Sequence, residues 1–510
     1  MKDFGTLSLD LEPVGTNRLS ATVGPESILE HATCLINAGM RLALVSGHDD
    51  GFSIRIVYLF TSGPPDRRVE LHVPLEIEHM ELPTLASVSF SASRFERELA
   101  DLFGVTLLGH PQPRRLVLHQ HWPANWHPMR SETVFPPKMV KEAGSYPFVP
   151  VEGAGVFEIP VGPVHAGLIE PGHFRFWVLG ETILRMKARL WFVHKGIERL
   201  LEGKDIASGL RISERISGDT AVGHSLAFSQ AVEECRGIQV SARAQALRAI
   251  LLEMERLYNH VADIGALCND VGYGLAQAKA LSLREKLLSL NREITGHRLL
   301  RGGIFPGGTK VVRLPTQKEL EDIENQFEDL VKQSSGNTLV MERFNGTAIL
   351  ESSHARELGV VGIAAKASGI SFDARVAHPF IELGENFKVM VHGRGDVLAR
   401  FNVRVDEFRN SLLVLGEIVK SQSNLDEVDQ APGNDKKSLK AGGVGIVEGW
   451  RGTIVHRVEL APNGTLSRVK IVDPSFLNWP ALPVALANTI VPDFPLANKS
   501  FNLSYAGNDL

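Results

Sequence analysis

Apolar residues recur along this chain with two different periods, and the change of period divides it. Between residues 242 and 269, Leu247, Ile250, Leu251, Met254, Leu257, Val261, Ile264 and Leu267 return at three- and four-residue steps. That spacing lays one continuous apolar stripe along a long helix. Similar patterning predicts helices over residues 26–38, 94–101, 190–201, 221–234 and 284–299. Leu320, Ile323, Phe327 and Leu330 mark another, opened by the capping box Thr316-x-x-Glu319 behind Pro315. Phe401, Val405, Phe408, Leu412 and Leu415 mark one more. Elsewhere the period shortens. The β-rich runs 42–45 and 52–60 flank Asp50-Gly51, a hairpin signal, and 69–73 alternates as a strand. Two short strands are expected between 159 and 178, and one at 453–460.

This distribution predicts an α+β protein. Residues 1–135 read as a small α/β domain. Residues 136–157, rich in Pro and Gly, read as a linker. Residues 158–510 read as a mainly helical domain, interrupted at 423–443 by a polar stretch expected to be a mobile surface loop. A chain of 510 residues supports more than one domain.

Composition narrows the function classes. The chain has 54 basic and 59 acidic residues, well mixed, for a net charge of −5. Nothing there provides an electrostatic footprint for nucleic acid. No apolar run reaches the roughly 18 residues of a spanning helix. The start, Met1-Lys2-Asp3-Phe4-Gly5, lacks a secretory pattern. A cytoplasmic chain is expected, reaching a membrane only through partners. Cys34, Cys235 and Cys268 are far apart and no Cys-x-x-Cys occurs. An iron–sulfur cluster wants four thiolates at tight spacing, so none is expected on this chain.

The richest stretch for chemistry is 161–224. It carries Gly162-Pro163-Val164-His165, Glu170-Pro171-Gly172-His173, Glu214-Arg215-Ile216-Ser217-Gly218-Asp219-Thr220 and Gly223-His224-Ser225. Short polar, Gly and His positions among apolar filling usually line a deep site. Further on, Glu253, Arg256 and His260 lie close to the apolar stripe, where buried charges must be paired.

Two groups of motifs carry a resemblance. Glu96-Arg97-Glu98-x-x-Asp101-Leu102-Phe103-Gly104, with His110, Arg114-Arg115-Leu116 and His127-Pro128-x-Arg130, resembles the C-type subunit of bacterial complex I. The same domain is fused to the large subunit in formate hydrogenlyase-type hydrogenases. The resemblance implies an assembly domain without chemistry of its own, with Glu96, Arg97, Glu98, Asp101, His110, Arg114 and Arg115 as its docking set. Gly162-Pro163-x-His165 with Glu170-Pro171-x-His173, then His224 with Glu233, and Arg451-Gly452 with His456, resemble the large subunit of [NiFe] hydrogenases and the D-type subunit of complex I.

Hydrogenases of that family hold nickel and iron on two Cys-x-x-Cys pairs, because soft thiolate sulfur is needed to bind and bridge them. Aligned on Glu214-Arg215-Ile216, the first pair falls on Ser217 and Thr220, and the second on Ser504 and Gly507. Hydroxyls cannot replace thiolates, so no metal is expected here. The Tyr that holds a quinone in the D-type complex I protein aligns with Gly218.

The resemblance leaves Glu170 as a proton relay or a backbone cap, and Arg215 beside a partner's iron–sulfur cluster. Asp219 could join Arg215, Arg451 and His224 in a polar cluster. Such a cluster would either bind a quinone-like head group or fill the vacated space. His165, His173, His224 and His456 fit residues that surround the site, or less simply its ligands. The implied partners are an iron–sulfur small subunit like the B-type one of complex I, a ferredoxin-like subunit and antiporter-like membrane subunits. The implied location is the cytoplasmic face of the inner membrane. The expected function is electron transfer from the iron–sulfur partner to a quinone or other small carrier without hydrogenase activity. The alternatives are a redox-inactive scaffold, or a hydrogenase with atypical ligands, for which the sequence supplies no ligand.

Overall fold

Asp50-Gly51 reverses the chain as its type requires, with Gly51 at φ 86°. It joins strands Arg41–Asp49 and Ser53–Ser62, which pair antiparallel from Asp49–Ile54 to Arg41–Thr61. The structure, a computed structural model, describes residues 9–141, 144, 146–167, 169–421 and 442–510. The loop expected at 423–443 therefore lies almost wholly outside the described residues.

The first sheet runs in the order Glu12–Gly15, Arg18–Thr22, Arg67–Glu76, Ser53–Ser62, Arg41–Asp49. Helix Ile28–Asn37 lies between its second and third strands in sequence. Helix Phe90–Phe103 is capped by Ser89, whose hydroxyl accepts from Ala92 N, and ends at Gly104 in the left-handed region. It lies against Arg41–Asp49. Gly47 allows that approach, because a Cβ there would sit 2.6 Å from the Phe103 ring.

The charged side chains of the first domain's docking set are hydrogen-bonded within the chain. Glu96 accepts from Leu85 N at 2.6 Å and from the Thr84 hydroxyl. Asp101 accepts from three successive amides, Leu116, Val117 and Leu118. Arg97 donates to the carbonyls of Arg114 and Arg115. Arg114 donates to Pro147 O, and Arg115 to the carbonyls of His119, Trp122 and Pro123. The His110 ring meets Ser93 O. Glu98 pairs with Lys470 at 2.6 Å, across to the second part of the chain. Charges with little solvent need partners nearby, and these find them within the chain.

The two expected domains share an apolar core that runs from Leu44 and Phe95 to Phe174, Phe476 and Trp479. Phe95 and Phe476 sit 4.8 Å apart. Buried ion pairs cross the same boundary: Glu70 meets Arg457 at 3.0 Å, and Arg18, also paired with Glu70, meets Glu234 at 3.2 Å.

Residues 156–189 form three antiparallel strands, Val156–Val161, His173–Leu179 and Thr182–Arg189, where two were expected. The helix expected at 190–201 is reduced to Ile197–Leu201. The amides of Val193, Lys195 and Gly196 donate instead to Asp509 Oδ2 and to Leu510 O. A backbone donor satisfied by the last segment is not available to a helical ladder.

The helical part centres on Ala242–Asp270, which is buried on nearly every face. Gly274–Thr295, Val397–Ser421 and Ala221–Arg236 pack around it. Its expected Glu253–Arg256 pair is present at 3.0 Å. Lys366 lies between Asp373, Glu407 and Glu448 at 2.6, 2.7 and 3.3 Å. The expected strand Thr453–Leu460 is the middle of a three-stranded antiparallel sheet with Gly443–Glu448 and Leu466–Val472. Helix Ala221–Arg236 lies directly on Gly443–Glu448, because Cβ atoms at Gly443 and Gly445 would strike the helix carbonyls of Ala231 and Ala227.

Candidate functional site

Asp219 sits in the turn that leads into helix Ala221–Arg236, with Thr220 as its N-cap residue. Three side chains fix the Asp219 carbonyl: Tyr258 at 3.1 Å, Asn259 at 2.9 Å and the Trp450 indole at 3.2 Å. The carboxylate is then held by Arg451, whose guanidinium donates to both oxygens at 2.6 and 2.7 Å. Arg451 belongs to the hairpin turn between Gly443–Glu448 and Thr453–Leu460, closed by hydrogen bonds between Gly449 and Gly452. Its Nε donates to Asn502 O at 2.6 Å, and its planar head lies 3.9 Å over the Trp450 ring. Partial burial pushes the Asp219 carboxyl up, but the Arg451 guanidinium and two hydroxyls outweigh it and hold the group at about 2.

Those hydroxyls are Ser217 and Thr220, which donate to Asp219 at 3.0 and 2.9 Å. Ser217 Oγ also meets Ser504 Oγ at 2.8 Å. Ser504 in turn accepts from Gly507 N at 2.9 Å. Behind Gly507 lies Asp473, so close that a Cβ at Gly507 would be 2.5 Å from its Cγ. Asp473 holds the His224 ring at 3.1 Å, and the other His224 nitrogen meets His456 at 3.0 Å. Burial raises the Asp473 carboxyl, and its hydrogen bond from His224 more than reverses this. Burial, with His224 alongside, drives His456 well below the usual histidine range.

The structure thus gathers Ser217, Asp219, Thr220, His224, Arg451, His456, Ser504 and Gly507 into one region. It leaves four of the expected residues outside that network. Arg215 is an exception to the expected cluster: its side chain is 53% exposed and donates to Arg211 O, turned away from Asp219. The helical turn through Ile216 points successive side chains to different sides, so neighbours in sequence separate. Glu170 is half-buried and accepts from Ala506 N at 2.9 Å through one of its two oxygens. His165 and His173 bind the carbonyls of Gly172 and Gly162, pinning the two limbs of their own loop together.

Three functional neighbours escaped sequence reasoning. Asp473 is visible only as an N-cap before Pro474. Asn502 contributes a carbonyl, which no sequence pattern marks. Glu255 accepts from Val222 N and Gly223 N, and burial pushes it up to about 8.

Comparison with known proteins identifies this arrangement. Residues 21–138 match the family of the respiratory-chain NADH dehydrogenase 30 kDa subunit. Residues 195–268 match nickel-dependent hydrogenase, and residues 270–440 match the respiratory-chain NADH dehydrogenase 49 kDa subunit. Hydrogenase-4 component G of Escherichia coli (strain K12) is 32% identical over 85% of this chain and 77% of its own length. The chain belongs to its family. Formate hydrogenlyase subunit 5 of the same strain is another relative, 30% identical over 86% of this chain and 79% of its own. The fused C/D protein of the NADH-quinone oxidoreductase of Phocaeicola vulgatus is 29% identical over 67% of this chain and 70% of its own. A chain in the solved structure of the membrane-bound sulfane sulfur reductase, an archaeal respiratory membrane complex, shares the fold. Its TM-score is 0.62 at 24% identity, covering 71% of this chain and all of that one. No helix among the described residues is long and apolar enough to cross a membrane.

The nickel–iron centre implied by this family does not fit the residues present. Three of the four positions carry hydroxyls that are already hydrogen-bonded to one another or to Asp219. The fourth, Gly507, offers no donor and has no room for a side chain beside Asp473. Hard, protonated oxygens do not replace the thiolates that soft metals require.

Proposed function

We propose that this chain is a subunit of a membrane-associated oxidoreductase of the complex I and formate hydrogenlyase kind, working without a nickel–iron centre. The observation that supports the reading is the Ser217–Ser504 hydrogen bond, which links two positions that the resemblance aligns with the family's metal thiolates. Electrons arrive from an iron–sulfur partner resembling the B-type small subunit of complex I, alongside a ferredoxin-like subunit. Charge movement belongs to antiporter-like membrane partners, with this chain on the cytoplasmic face. The acceptor is a quinone or another small carrier whose polar head meets Arg451 and Asp219. Arg451 is the group suited to an oxygen that gains negative charge on reduction. Asp219, ionised at neutral pH, keeps that guanidinium in place and is not the proton donor.

A redox-inactive scaffold is the second reading. It is favoured by the closure of Asp219, Arg451, Ser217 and Thr220 on one another, which leaves the carboxylate fully partnered.

One preparation tests both. The chain is purified with its native neighbours, and nickel, iron and acid-labile sulfide are measured for each protein separately. No nickel on this chain, with iron and sulfide on a small partner, supports the proposal. Nickel here overturns it. Quinone-dependent turnover lost in Arg451→Ala assigns the acceptor site; turnover unchanged in Arg451→Ala and Glu170→Gln sends the assignment to the scaffold.

A further inference from the structure

A cavity of about 380 Å³ opens between helix Phe90–Phe103, the segment 111–116, strand Thr182–Arg189 and residues 479–484. That volume is in the range of small-molecule sites. No residue of the Asp219 and Arg451 cluster lines it. Its walls carry five cations, Arg94, Arg97, Arg185, Lys187 and Arg189, and no acidic residue among the described ones. A smaller cavity of about 70 Å³ shares Arg185 and Lys187 and adds Arg114.

Several buried cations elsewhere in the molecule are neutralised, although Arg400 is held by uncharged acceptors alone. Arg457 has Glu70, Arg468 has Glu198, Arg248 has Glu233 and Lys366 has three carboxylates. In this cavity no described carboxylate lies within 4.0 Å of any of the five cations. Arg97, Arg185 and Arg189 donate to backbone carbonyls, and Arg94 to the Asn508 amide oxygen. Uncharged acceptors fix the guanidinium orientation without cancelling the charge. Arg94 Nε and Arg189 Nε are buried with no acceptor.

Lys187 has no hydrogen-bond or ion-pair partner among the described residues. Burial and the neighbouring arginines push its ammonium down to about 8. Burial likewise lowers Arg94 to about 9 and Arg189 to about 10. Like charges gathered in a half-closed space without countercharge are held at a cost that a bound anion removes.

The lining also has an apolar share, Trp191, Trp479, Pro480 and Pro483, with Arg94 5.4 Å over the Trp191 ring. The site therefore combines a strongly cationic lining with aromatic and proline surface. A phosphate monoester carries nearly two charges and several acceptors, which suits donors coming from separate elements better than one carboxylate does. We propose that this cavity binds a small phosphate-bearing anion, its phosphate against Lys187 and Arg94 and its body against the aromatic and proline surface.

A nucleotide and a phospholipid headgroup share that chemistry, and the experiment separates them. The full chain is titrated with ATP, and separately with phosphatidylglycerol vesicles, while tryptophan fluorescence and co-sedimentation are followed. A saturable response to at least one probe is expected, weakened at least tenfold in Lys187→Glu and reduced by raised salt. ATP alone would identify a soluble nucleotide, and vesicles alone a headgroup; either supports the site. Lys187 is half-buried on an edge strand, and Lys187→Gln, which removes the charge and shortens the side chain by one bond, should weaken binding several-fold should the Glu variant fail to fold. No saturation with either probe overturns the proposal, as does unchanged affinity in the folded Lys187 variants. Saturation by polyglutamate where both phosphate probes fail overturns it too. Metal content and quinone turnover play no part in these readings, so the site can fail independently of the proposed function.

Discussion

Ser217 and Ser504 stand 287 positions apart in sequence and share a hydrogen bond of 2.8 Å. The contact joins the turn before helix Ala221–Arg236 to the N-cap of helix Tyr505–Asp509. It joins, hydroxyl to hydroxyl, two positions that the resemblance aligns with the family's metal motif. A pair of cysteines here should lie within reach of one another, since a disulfide needs sulfurs only about 2.05 Å apart. The double variant Ser217→Cys/Ser504→Cys is expected to form that bond on mild oxidation, seen as a loss of two titratable thiols. Two thiols that remain free under oxidant would contradict the geometry.

Gly507→Ala tests the other half of the motif. The added methyl would fall 2.5 Å from the Asp473 carboxyl carbon, in a fully packed region. Overpacking of this kind costs about 1–3 kcal/mol. Urea denaturation should show a loss in that range; an unchanged midpoint would mean that Asp473 moves freely.

Arg451→Met removes the partner of a half-buried carboxylate. Asp219 is 37% exposed, so solvent softens the penalty, and a loss of about 1–3 kcal/mol at neutral pH is expected rather than the 3–5 of a fully buried pair. Asp219 is depressed in the folded chain to about 2, below its unfolded value of about 3.9. Its contribution is therefore present above about pH 4 and is lost as pH falls towards 2. The stability gap between wild type and Asp219→Asn should narrow across that window, and a gap independent of pH would count against the pairing.

Glu255 has the opposite sign. Burial raises it to about 8, against about 4.3 in an unfolded chain. The folded state keeps a proton that the unfolded state releases, so wild-type stability declines as pH rises from about 4.3 to about 8. Glu255→Gln cannot ionise and escapes that decline. Its cost relative to wild type should be largest near pH 5 and shrink towards pH 8; a constant cost would show that Glu255 is already ionised at pH 5.

Glu70 holds Arg18 on its own side and Arg457 across the boundary between the two parts of the chain. Glu70→Ala leaves two buried guanidinium groups with diminished countercharge. A loss of about 3–5 kcal/mol is expected, together with earlier proteolytic cutting near the 136–157 segment. Cutting at the wild-type rate would mean that the apolar contacts, such as Phe95 on Phe476, hold the parts together unaided.

Local physics made several elements legible in the sequence. The stripe from Leu247 to Leu267 marked the central helix because burial on a helix repeats every three or four residues. Asp50-Gly51 marked the first hairpin, and Thr316 with Glu319 marked a capping box that is present in full. These depend on neighbours a few residues apart. The absence of thiols at 217, 220, 504 and 507 was equally plain, because residue identity needs no fold.

Long-range contacts decided the rest. Residues 190–196 carry a helical apolar pattern, yet their amides are taken by Asp509 and Leu510, more than 300 positions away. Arg215 and Asp219 are near neighbours in sequence, but only Asp219 meets Arg451, 232 positions on. Nothing in the Glu-Arg-Glu spelling of 96–98 shows that tertiary packing buries it and gives each charge the internal partner that burial demands. Sequence alone determined which residue types stand at 217, 219, 451 and 504. Only the fold determined which groups face one another, because hydrogen bonds and ion pairs depend on distance in space, and the chain path between distant residues sets that distance.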